Sequence, residues 1–416
     1  MKKSILLVCC LMVGQALVSA QSPLTKTYAF QNGNWFTGSG FAPGTWYSVN
    51  GTLTQKTPAK VDSVVDLENR WIIPPTGDAF SAVTAAGTGA SLLLDNYWQE
   101  GVFYLQILSN SQADRKAIEY QVNQPKTPEA IFANGGLTCT LGKPFLEYEG
   151  PANNLRNPNL WKDRYESLQA ERKMLGDGYW FIGDKKSLDD NWEKIKAQKP
   201  GILSIYLLDV ANNGGKPGKG LTADMAKAIV KKAHKADLRV FAHVETAEDL
   251  RLGMKIGVDG FANLPGHTWD GKTGLAAYEL SEDDLKKLAK KKTPLIALLA
   301  HGQSASREQK MVQEFHAKTL RRLFETGVHV AVGSDDIQRT SRSELNYWFS
   351  LGGLSHLKAL QSLCEYTPQA IFPNRKVGKI AEGHEASFLV LREDPSLNIL
   401  KMRLQMFKVK QGVIYK

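Results

Sequence analysis

Histidine is missing from everything before His234; all eight lie from there onward. No pair of imidazoles can therefore come from the amino-terminal half of the chain. Cysteine is as scarce. Two of the four, Cys9 and Cys10, sit in an apolar leader, and the other two, Cys139 and Cys364, are far apart and leave their pairing open. No apolar run is long enough to cross a bilayer, since the longest, Ile5 to Val18, is too short and wrongly flanked. Acid is also in deficit. The formal charge is +10, or 10 − 2 = +8 once Lys2 and Lys3 are set aside. That excess is spread over helical stretches such as Lys227–Lys235 and Lys286–Lys292 with no aromatic-interleaved groove, a pattern of solvated faces that argues against nucleic-acid binding.

What is present begins with an export signal. Lys2 and Lys3 precede the apolar core, and Val18-Ser19-Ala20 makes a small-residue cleavage site before Gln21. Residues 1–20 are expected to be a cleaved leader that delivers the protein to a bacterial periplasm or outside the cell. The remaining 416 − 20 = 396 residues, in a chain that is 43% hydrophobic, can bury a large core.

Between Thr27 and Ile73, short runs rich in Val, Tyr, Trp and Thr alternate with turn residues, including Asn-Gly pairs at 32–33 and 50–51. ASFLVLRED and MFKVKQGVIYK near the end have the same character. Residues 21–74 and 377–416 are thus expected to form one discontinuous β-sandwich domain around residues 75–376. That middle alternates. ILSIYLLD, RVFAHV, GFANLP, PLIALLAH and VHVAVGSDD are buried-type strands separated by helical stretches, of which TAEDLRLGMKIG is the clearest, with Thr246 as N-cap and Gly257 past its end. Repeats of this kind predict an α/β fold, a (β/α)8 barrel whose chemistry sits where the strands end. The polar segment from Asn153 to Asp189 is expected to cover part of that mouth, and Asn134, Gly135 and Gly136 to form a loop beside it.

IIPPTGDA, VFYLQILSN, AIFANGGLT, IYLLD, FAHVETAEDL, GFANLPG, VAVGSDD, TPQAIFPNRKVGKIAEGHEASFLVL and VKQGVIYK, taken together and in this order, resemble the amidohydrolase superfamily, close to its exported, imidazolonepropionase-like branch. The resemblance implies a metal-dependent hydrolase of C–N bonds. It implies ligands from a His-x-His pair, a carboxylated Lys, two further His and an Asp, with the metal lowering the pKa of its bound water. Carried onto this chain, the His-x-His positions are Phe80 and Ala82, the Lys is Ser204, and the strand-six His is Asn263. Only His243 and Asp335 keep a ligand type, and a catalytic zinc normally takes three protein ligands.

Three readings follow. In the first, the metal centre has decayed, no cofactor is held, and the mouth binds a small, cyclic amide-like molecule in a pocket that includes Phe80, Ala82, Ser204 and Asn263. In the second, the protein is an active hydrolase of cyclic amides, using a metal-free His243–Asp335 pair or zinc held by His243, Asp335, His267 and His301. These four recur about one βα unit apart at the same end of the barrel. In the third, the Trp-rich segment around Trp161, Trp180 and Trp192 docks a partner. His384 falls in the composite β-domain, where a structural role is expected.

Overall fold

A computed structural model describes residues 26–155, 157–272, 274–300 and 310–416. The expected leader and His301 lie outside the described residues. The first five strands are β1 (Tyr28–Phe36), β2 (Phe41–Val49), β3 (Thr52–Thr54), β4 (Ser63–Asp66) and β5 (Trp71–Ile73). Ten short strands follow: β6 (Thr76–Asp78), β7 (Val102–Ile107), β8 (Glu129–Phe132), β9 (Gly136–Thr138), β10 (Tyr179–Phe181), β11 (Leu203–Leu207), β12 (Val240–Val244), β13 (Gly260–Ala262), β14 (Leu295–Ile296) and β15 (Val330–Ala331). The chain ends with β16 (Phe388–Leu391), β17 (Gln405–Lys410) and β18 (Val413–Tyr415).

The two ends do meet. One eight-stranded sheet runs β18-β17-β16-β5-β1-β2-β3, with β4 also on β1, and β16 joins β5 antiparallel. It wraps its own core of Phe30, Trp35, Trp46, Ile72, Phe388 and Val409. The Asn50-Gly51 pair makes the β2–β3 hairpin turn, both residues having positive φ (+50° and +74°), as a type I′ turn requires. Asn32-Gly33 does not turn the chain. Asn32 is left-handed (φ +56°) inside β1, and the β1–β2 register shifts there, so the pair is a bulge.

The middle strands are parallel and close on themselves. β6-β7-β8 form one ladder, and β9-β11-β12-β13-β14-β15 another. β8 and β9 act as a single barrel strand broken at Ala133–Gly135, because β8 pairs with β7 and β9 with β11. The ring is completed where the amides of Ala79 and Asp335 donate to the carbonyls of Val332 (2.8 Å) and Phe80 (2.7 Å). The eight-fold barrel is therefore as expected.

Two expectations are corrected. The 153–189 segment is not only a cover, since β10 adds to β9 in the barrel wall, and Trp180 and Trp192 are buried in the main core. Trp161 packs over Gly150 and donates to the Leu155 carbonyl at 2.9 Å, so these tryptophans do not present a common surface. Residues 134–136 likewise are not a mouth loop. Asn134 (φ +61°) trades hydrogen bonds with Asn110, its amide and carboxamide oxygen meeting the opposite amide at 3.0 and 3.2 Å, which fixes the break between β8 and β9. The glycines beside it are needed for packing, because a Cβ on Gly136 would lie 2.6 Å from the Tyr206 ring. His384 lies in the terminal domain and Cys139 and Cys364 are buried free thiols.

Candidate functional site at the barrel mouth

The strand–helix–strand unit from β12 to β13 sets the floor of the mouth. Thr246 caps the helix Ala247–Ile256 in a reciprocal box with Asp249, and Gly257 ends it at φ +83°. Asp249 does more than cap. Its buried carboxylate also accepts from the amides of Asp209 (2.9 Å), Val210 (2.7 Å) and Glu245 (3.1 Å), tying the loop after β11 to the loop after β12. These bonds hold the ends of β11 and β12 in register, with Tyr206 beside His243 and Ser204 two residues earlier on the same face.

His243 is enclosed on all sides. Its Nε2 lies 2.8 Å from the Ser204 hydroxyl, and Ser204 has no exposed surface. The ring stacks on Tyr206 at 4.2 Å with planes 6° apart, and Phe80 meets it edge-on at 5.3 Å. Burial, assisted by the positive charge of Lys143, pushes the imidazole down to about 3, while a hydrogen bond to the Leu108 backbone pulls the other way. The ring is therefore uncharged at neutral pH, with its Nε2 paired to the Ser204 hydroxyl.

Phe80 is held as firmly. It is 3% exposed, and Gly333 makes room for it, since a Cβ there would stand 2.9 Å from the Phe80 Cβ. Behind it lies a polar knot that the sequence reading missed. Buried Asp78 accepts from the amides of Phe80 (3.1 Å) and Ser334 (3.0 Å) and from the Tyr97 hydroxyl (2.9 Å), which also reaches Ser81 and Ser334. Burial raises the Asp78 carboxyl and drives the Tyr97 phenol well up. Glu344, on the helix Arg342–Ser350, is also buried and is pushed up to about 7, mainly by burial and in small part by Asp78. It accepts from the amides of Leu299 (2.8 Å) and Ala300 (2.6 Å) and from the Trp348 indole (2.6 Å).

Around the aromatic floor stands a polar wall. The Tyr148 and Ser109 hydroxyls are 3.2 Å apart, and the charges of Glu147 and Asp335 both act on Tyr206. Lys143 is exposed at the rim, 3.8 Å from Glu147. Asp335 is half-buried, left-handed (φ +43°) and fixed through its amide to Phe80.

The other expected positions scatter. Ala82 is half-buried at the start of a 3-10 turn. Asn263, half-buried and left-handed (φ +74°), follows β13. His267 is buried, and its Nδ1 faces the Leu264 carbonyl at 3.2 Å. Among the described residues no three His, Cys, Asp or Glu side chains are grouped to hold a metal, so His243, His267 and Asp335 do not make one between them.

The sequence profile of the amidohydrolase family matches residues 166–415, which is 250 of 416 positions. The chain belongs to the amidohydrolase family. Its fold is shared with solved family structures along nearly the whole length. The A. niger ochratoxinase superposes with a TM-score of 0.69 at 15% identity, covering 95% of this chain and 96% of that one. Molinate hydrolase gives 0.68 at 13% identity, with 95% and 96% covered. A Xaa-Pro dipeptidase with bound methionine gives 0.65 at 14%, with 94% and 100% covered. At such identities the likeness establishes the fold alone. No curated protein matches the chain in sequence.

Amidohydrolases usually work through divalent metal ions, and no site for one is evident among the described residues of this amidohydrolase. Phe80 and Ala82 carry no donor atom, and the Ser204 hydroxyl is paired with the His243 Nε2.

Proposed function

We propose that this amidohydrolase is a non-hydrolytic member of its family, exported from the cell, that binds a small, cyclic amide-like molecule at the barrel mouth. The observation that carries the reading is the packing of Phe80 against a His243 ring whose Nε2 is held at the Ser204 hydroxyl. A hydrolytic centre needs an activated water, and here an aromatic edge and a serine hydroxyl take the place of the ion that would activate it. What remains suits recognition. The half-buried Tyr148–Ser109 pair stands over the closed aromatic floor of Tyr206 and Phe80, and Lys143 and Asp335 put one charge of each sign near it, a mixture able to orient an amide at the rim.

The test is a melting-temperature screen against small cyclic amides, imides and N-acyl amino acids, run beside a hydrolysis assay on the same compounds. A ligand at a hundred times its dissociation constant should stabilise the fold by about 2.7 kcal/mol. It should emerge from the assay unchanged, and Tyr148→Phe should weaken its binding. Turnover of any compound that depended on His243 or Asp335 would refute the reading.

A further inference from the structure

In a barrel of alternating strands and helices, every helix runs back to the face on which the next strand begins, opposite the mouth. Four successive helices here finish there on lysine. Lys199 follows the helix Lys185–Ala197, Lys231 and Lys235 end Ala223–His234, Lys255 ends Ala247–Ile256, and Lys290 and Lys292 end Glu282–Lys291. All six are exposed. Single basic last turns are ordinary, because they oppose the helix dipole. The topology adds something to that by setting these ends side by side. Lys232 pairs with Asp189 between the first two helices, and Lys291 donates to the Met254 carbonyl at 3.2 Å between the last two. Farther round, Lys292 and Lys379 both act on His329 at the start of β15.

The acids of this face are few and mostly engaged. Glu193 pairs with Lys196 and Asp259 with His234, which leaves Asp237 and Glu325 exposed against the arc. We propose that this face docks the protein onto anionic phospholipid bilayers through the lysine arc Lys199–Lys231–Lys235–Lys255–Lys290–Lys292. Two features favour a lipid surface over a nucleic acid. The cations are lysines, compact point charges on long stems, rather than the forked guanidinium groups that grip phosphates in pairs. No large apolar or aromatic side chain is exposed between Leu175 and Met311 among the described residues, so there is nothing for bases to stack on. A broad arc at the ends of parallel helices meets a plane of headgroups with many lysines at once, each contributing at the surface.

The experiment is co-sedimentation of the purified protein with phosphatidylglycerol vesicles and with phosphatidylcholine vesicles, at ~0.1 M and ~1 M salt, where screening shortens from about 10 to about 3 Å. The protein should pellet with the anionic vesicles at low salt and with neither kind at high salt. The quadruple variant Lys231→Gln/Lys235→Gln/Lys255→Gln/Lys290→Gln should lose affinity on the order of a thousandfold. It should remain folded with a single cooperative melting transition, and Lys56→Gln/Lys60→Gln in the terminal sheet should bind as the parent does. Equal binding to both lipids, no binding, no effect of the quadruple variant, or tighter binding to duplex DNA than to the anionic vesicles would each overturn the proposal.

Discussion

The His243 imidazole is expected to stay uncharged down to about pH 4. Nuclear magnetic resonance of the ring, observed while the pH is lowered from 7, should show His243 unmoved through 6.5, the ordinary value of a free imidazole. The linkage has a definite sign. A histidine whose pKa falls to about 3 on folding contributes stability that is fully present above 6.5 and is lost as the pH drops toward 3. At pH 4 the loss from this ring alone is about 3 kcal/mol. His316 acts in the same direction. It is buried between Tyr347 (2.9 Å) and the Gly266 carbonyl (3.3 Å) and is pushed down to about 4. Glu344 works against both. Its carboxyl is raised to about 7, so it contributes most below 4.5 and its contribution is lost as the pH rises through 7. Stability should therefore pass through a maximum between these limits, and His243→Asn should flatten the acid side. A ring that titrates near 6.5 would mean that the Tyr206–Phe80 enclosure is open to water.

Phe80→Ala should cost about 3–5 kcal/mol of unfolding free energy, measured by urea titration, because a buried ring is removed from a site that cannot collapse. Gly333 and the Phe80 backbone are fixed by strand closure, so the space stays open. The same change wets His243. Its pKa should climb back toward 6.5 in the variant, a shift that a merely destabilised core elsewhere would not produce. Loss under about 1 kcal/mol, with the His243 titration unmoved, would show that Phe80 does not seal the mouth.

Residues with a strong local signal were legible in the sequence. Thr246 and Gly257 bracket a helix because one hydroxyl caps its first turn and one residue must turn left-handed at its end, and both requirements are local. Asn50-Gly51 and Asn32-Gly33 look alike, yet one is a turn and the other a bulge, because the strand partner decides between them. β9 and β10 are three residues each, too short to show a period, so the wall strand inside 153–189 leaves no pattern in a polar segment. Trp180 and Trp192 have polar neighbours in sequence, although both are core.

The same division holds at the mouth. The residue types at 80, 82, 204 and 263 are legible directly. The packing around His243 is not, since Tyr206 stacks on it across a strand pair and Asp78, Tyr97 and Ser334 meet across 256 positions of chain. A partial signal existed for Tyr206, which shares a face with Ser204 by strand alternation, and for Glu344, an acid four residues before Trp348 on a helix.

The central claim is that the metal centre of this amidohydrolase has been replaced by a packed aromatic and hydroxyl site. The metal content of the protein, purified without chelators and then incubated with zinc, tests it most directly. The account predicts under about a tenth of an equivalent of metal, unchanged by the added zinc. About one equivalent, retained through dialysis and lost in His243→Ala or Asp335→Ala, would contradict it.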